Sequence, residues 1–119
     1  MQESPSAREL IEAVQRFLLE TAAPGLTGQA AFHAKVAANV LGTVAREMAL
    51  RPAADAAEAE RLAALLSPGA TTTDLAEAIR TGRFGVETPG LLAHLRATAL
   101  DQLAVDQPDY SGARDAGPP

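Results

Sequence analysis

The chain has 119 residues with no cysteine or tryptophan, three phenylalanines and a formal net charge of −5. That length supports one domain with a modest core, and the missing thiols exclude disulfides and cysteine nucleophiles. The acidic balance argues against nonspecific binding to nucleic acid or anionic membrane, and no apolar run approaches the ~20 residues of a bilayer span.

The first twenty residues are amphipathic and charged, without a signal-peptide pattern, so the chain reads as cytoplasmic. Strand-forming residues never alternate over a useful length. The expected fold class is all-α: a compact bundle of four to five helices around a long central helix at about 29–50. Residues 1–110 read as a single helical domain and 111–119, polar and rich in Gly and Pro, as a flexible tail.

Ser4-Pro5-Ser6 opens the first helix, and Ser6 with Glu9 has capping-box spacing. Leu10, Ile11, Val14, Phe17, Leu18 and Thr21 share its apolar face. Ala23-Pro24-Gly25 ends it, and Thr27-Gly28 can cap the next.

Gln29 to Leu50 lacks the charged face of a surface helix. Phe32, Val36, Val40, Val44 and Met48 form a bulky stripe, widened by Ala37 and Leu41. Opposite it lie the small residues Ala31, Ala38, Gly42, Ala45 and Ala49, interrupted by Lys35. The pattern predicts the most buried helix of the fold, with the small face as the candidate interface for a close neighbour. Pro52 should end the helix at Leu50-Arg51.

A further helix, Ala53 to Leu66, offers Ala59, Leu62, Leu65 and Leu66 for burial, and Ser67-Pro68-Gly69 closes it. Thr71 to Asp74 supplies N-caps for a short helix burying Leu75 and Ile79, ended by Gly82. Phe84 should anchor the following loop. Thr88 and Pro89 read as N-cap and first residue of the last helix, with Leu91, Leu92, Leu95, Ala99 and Leu103 inward. Arg96, Asp101 and His94 fall at its margins.

No phosphate-binding loop, dinucleotide fingerprint, zinc motif or nucleophile elbow is present, so no catalytic residue, metal ligand or cofactor is expected and the chain reads as not an enzyme. What remains is polar chemistry on the central helix: His33, Lys35, Asn39, Thr43, Arg46 and Glu47. Polar groups on a buried helix either tie helices together or line a site. His33 and Glu47 lie about 21 Å apart along the axis, and Asn39 and Arg46 about 10 Å, so neither pair forms a catalytic couple. His33, Asn39, Arg46 and Glu47 are therefore the candidate ligand-binding or structural cluster, with structural pairing the favoured role.

Phe32 to Asn39, followed by Val44-Ala45-Arg46-Glu47, resembles a bacterial family of small helical proteins with a domain of unknown function. So do Leu91 to Thr98 and Leu103 to Tyr110. In that family the helix reads F-H-x-[RK]-V-A-x-N, then R-E, and the end reads D-N-P-x-Y. Here Gln107 replaces the usual Asn, which bears on a turn at Asp106–Tyr110. The resemblance covers nearly the whole chain up to Tyr110. Members are often encoded beside an aminoglycoside-phosphotransferase-like kinase and an acyl-CoA dehydrogenase, and some carry the latter's name. The resemblance implies an accessory role to a small-molecule kinase in acyl or hydroxyacyl catabolism.

Two functions compete. The first is a non-catalytic helical accessory or adaptor protein that binds a kinase-like enzyme or a second copy of itself. The second is a small-molecule binding protein or minor enzyme with a pocket lined by His33, Asn39, Arg46 and Glu47. Helix-turn-helix regulation through Thr73–Arg83 and the last helix fits poorly with the acidic balance.

Overall fold

The computed structural model describes residues 5–110. The all-α expectation holds: among the described residues there are four α-helices and no strand. These are α1 (Ala7–Phe17), α2 (Gly28–Leu65), α3 (Thr72–Arg80) and α4 (Leu91–Asp106). The expectation of a flexible tail at 111–119 falls outside the described residues. Contacts divide the chain into two compact units, Met1–Ala49 and Leu50–Pro119.

In the first unit the Ser6 capping box forms as expected. The Ser6 hydroxyl accepts from the Glu9 N–H at 3.1 Å, and the Ser6 N–H donates to Glu9 Oε1 at 2.9 Å. The Ser6 N–H, and next the Ser6 side chain, favour the Glu9 carboxylate and hold its pKa below the usual value. α1 runs into one π-helical turn, Leu18–Ala22, and a short 3-10 turn at Ala23–Gly25.

No residue of α1 is buried: Ile11, Glu12 and Gln15 are half-buried, as is Leu18 just beyond it, while Leu10, Val14 and Phe17 of the expected core face are exposed. Gln15 is the residue that meets α2. A β-carbon at Gly42 would stand 2.7 Å from Gln15 Nε2, so this close approach requires glycine unless the amide moves.

Two expectations about the central helix are corrected. Pro52 does not end it; α2 continues for 38 residues to Leu65. Proline costs the Met48 carbonyl its donor, but the Ala/Glu-rich run beyond has the highest helix propensity in the chain and carries the geometry on. Nor is the bulky stripe buried. Phe32 is 61% and Val40 56% exposed, and Val36 and Met48 are exposed too, while Ala38 is fully buried with Ala34 and Ala45 close behind. This helix buries its small face and presents its large one, so it is not the most buried element.

The second unit holds the core cluster: Leu62, Leu75 and Leu91, each 3% exposed, with Leu66, Ala70 and Phe84 against them. Leu62 of α2 and Leu66 just beyond its end do what their spacing predicts, and Phe84 is the expected loop anchor; Ala59 is exposed.

The helix ends explain how the elements meet. The Ala70 N–H donates to the Ser67 carbonyl at 3.0 Å, with Pro68 and Gly69 (φ +83°) between them, a turn that needs glycine at its third position. Thr71 and Asp74 then form a reciprocal capping box for α3. On α3, Leu75 is buried as expected, but Ala78 takes the second core position while Ile79 is exposed.

α4 begins two residues later than the sequence suggests. The Thr88 hydroxyl accepts from the Gly85 N–H at 2.8 Å and is committed to that turn. Thr88-Pro89-Gly90-Leu91 then repeats the Pro-Gly turn, Gly90 (φ +85°) serving as N-cap. The inward face also differs from the expected one: Leu91, His94 and Val105 are buried and Leu103 half-buried, while Leu92, Leu95 and Ala99 are exposed. At its end the Tyr110 N–H donates to the Gln107 carbonyl at 3.0 Å, so the turn closes with glutamine in place.

Candidate functional site

The polar residues singled out on the central helix all lie in the first unit, and some are brought together. Thr43 Oγ1 donates to the Asn39 carbonyl and Arg46 Nη2 donates to Thr43 Oγ1, both at 3.2 Å. This relay runs along one helix. Arg46 and Glu47 are half-buried, whereas Lys35, Asn39 and His33 are exposed, the His33 ring edge-on to Phe32 at 5.6 Å. Of the interface candidates, Ala38, Gly42 and Ala45 are buried within the chain, Ala31 is half-buried and Ala49 exposed.

The bulky apolar residues are what the first unit offers outward. Phe32, Val36 and Val40 recur once per turn over about 12 Å of α2, and Leu10, Val14 and Phe17 repeat the motif on α1; all six are exposed. A row of large side chains differs from the scattered exposed leucines of any surface, and such rows mark interaction sites.

The second unit contains a different feature: a cleft of about 460 Å³ between the C-terminal part of α2 and α4. At its wall Arg61 Nε donates to His94 Nδ1 at 2.9 Å, and Arg61 Nη2 donates to Thr98 Oγ1 at 3.1 Å. His94 and Thr98, four apart on one face of α4, thus grip one edge of the guanidinium. An Nδ1 that accepts a hydrogen bond is unprotonated, so the imidazole is neutral with its proton on Nε2.

Burial, and next the Arg61 charge, lower the His94 pKa, against a smaller opposing pull from Glu58. The sequence reading placed His94 at the helix margin; it is 3% exposed, a correction set by which face of α4 packs inward. Arg61 and Thr98 were missed altogether. The recoverable signal was the register Leu91, His94, Thr98, Val105, spaced three, four and seven apart.

Among the described residues no group of three or more His, Cys, Asp or Glu could hold a metal ion, and no helix is long and apolar enough to cross a membrane.

An all-helical chain with these two surfaces defines no enzyme class. Residues 24–110 match the family model described as a domain of unknown function, DUF6285, and the chain belongs to that family. The matched span takes in α2, α3 and α4 but not α1, less than the near-complete coverage expected up to Tyr110. No curated protein and no solved structure matches the chain.

Proposed function

We propose that the chain is a non-catalytic helical accessory protein of bacterial cytoplasm that docks on a partner enzyme through the exposed apolar side of its first unit. The observation that carries this reading is the row Phe32, Val36 and Val40, large side chains left in water by the chain itself. The partner class comes from the resemblance: an aminoglycoside-phosphotransferase-like kinase acting in acyl or hydroxyacyl catabolism.

The competing small-molecule reading has less support. His33 and Asn39 are exposed, and the bonds among Asn39, Thr43 and Arg46 tie α2 to itself.

Size-exclusion chromatography with light scattering tests the proposal, using the chain mixed with a kinase-like enzyme from the same source. A complex should form, and Phe32→Ala with Val36→Ala should weaken it at least tenfold while leaving the melting temperature of the free chain in place. A wild-type chain that ignores the kinase contradicts the reading, as does a variant that binds equally well. A concentration-dependent mass for the chain alone would assign the face to a homodimer instead.

A further inference from the structure

We propose that the cleft between α2 and α4 is a binding site for a small organic monocarboxylate, held by the guanidinium of Arg61. Arg61 is half-buried, and two of its five N–H donors are spent on neutral acceptors, His94 Nδ1 and Thr98 Oγ1. Among the described residues no carboxylate forms an ion pair with it.

Arg61 lines the cleft, and its Nη1, which bonds neither acceptor, is not sealed from solvent, since no buried side-chain nitrogen among the described residues lacks a partner. The guanidinium is thus fixed in orientation along one edge, charged, and unmatched on the side that a ligand would approach. That geometry suits the two oxygens of a carboxylate.

The rest of the cleft sets the ligand's body and charge. Leu50, Ala54, Ala57, Ala97 and Leu100 give it a mainly apolar wall, and its volume is that of a small-molecule pocket. Two arginines (51 and 61) face three carboxylates (Asp55, Glu58 and Asp101), with Asp55 already 3.6 Å from Arg51. Arg51 already meets Asp55, so a second negative charge would find no further arginine and would stand against Glu58 and Asp101. The site therefore fits one negative charge on a compact apolar body. It lies wholly within the second unit and does not depend on the docking face proposed above.

Three probes with the same ring separate the terms: cyclohexanecarboxylate, cyclohexylmethanol and cyclohexylphosphonate, titrated into the full chain and followed by backbone amide shifts. The carboxylate should give saturable shifts centred on Ala57, Ala97 and Thr98. The alcohol and the phosphonate should bind roughly tenfold more weakly, the alcohol for want of a charge-assisted hydrogen bond.

Arg61→Gln should weaken carboxylate binding by a similar factor, and Arg61→Lys by less, since a lysine keeps the charge but not the fork. Should Arg61→Gln fail to fold, Ala57→Leu fills the wall while keeping the guanidinium and must abolish the shifts. The proposal is overturned by a carboxylate that produces no saturable shift, by an alcohol or phosphonate that binds as well, or by binding that survives Arg61→Gln or Ala57→Leu.

Discussion

The two units spend their apolar residues in opposite ways. The second places leucines from α2, α3 and α4 against one another and adds Phe84 from a loop, so these large side chains leave water while Ile79, Val86, Leu92 and Leu95 stay exposed. The first buries Ala34, Ala38 and Ala45, with Gly42 facing the amide of Gln15, and leaves Phe32, Val36, Val40, Val14 and Phe17 exposed. Alanine burial removes little apolar area, whereas each leucine removed from water is worth roughly 1.5–3 kcal/mol. Burial here follows which neighbours a face has, not how hydrophobic it is. The second unit has a leucine core; the first carries an apolar surface that its own helices do not use.

That contrast can be broken most sharply in the core. Leu62→Ala should destabilise the chain by about 2–5 kcal/mol in denaturant titration, because the cavity would open among closely packed leucines; a small loss would mean that the cluster is not the core. Arg61→Ala should cost about 2 kcal/mol, since it removes two bonds between α2 and α4 and leaves buried His94 Nδ1 without its donor.

The same clamp gives a pH dependence. Because the folded His94 pKa is lowered, the unfolded chain takes up the proton first. Stability from this group is present above the ordinary imidazole value of about 6.5 and is lost as pH falls below it toward the folded value. His94→Gln should remove that increment from the difference between the two stability–pH curves.

Smaller effects sharpen the comparison. Thr71→Ala should cost about 1 kcal/mol by breaking the α3 capping box. In the first unit, Phe32→Ala and Val36→Ala should change the stability of the free chain by no more than about 0.5 kcal/mol, as exposed positions do. Gly42→Ala should be neutral or stabilise by up to about 1 kcal/mol. The atom it meets is the mobile end of Gln15, and alanine is the better helix former. Loss of stability in this variant would show that the Gln15 contact is rigid.

The sequence announced the helices and most of their punctuation. Ser6 with Glu9, Thr71 with Asp74, and Ser67-Pro68-Gly69 are local devices whose partners lie within three or four residues, so spacing alone reveals them. The match of the chain to its family agrees with the motifs on α2 and α4.

What the sequence hid was decided between elements. Phe32 and Ala38 lie on opposite sides of α2, and nothing local tells which side meets α1; the polar Gln15 made the contact at Gly42. Pro52 weakened the helix locally, but the alanine run beyond it prevailed. The Thr88 hydroxyl bonded back to Gly85 rather than capping α4, which starts two residues late and carries His94 on its inward face. Arg61 escaped notice because its two acceptors lie 33 and 37 residues away.

Residue-resolved hydrogen exchange on the free chain tests the central contrast most directly. The slowest amides should lie around Leu62, Leu75 and Leu91, with those from Phe32 to Val40 exchanging faster, because the first stretch is closed by packed leucines and the second by small residues on one side only. Amides from Val36 to Ala45 that exchange as slowly as those around Leu62 would contradict it and restore the central helix as the heart of the fold.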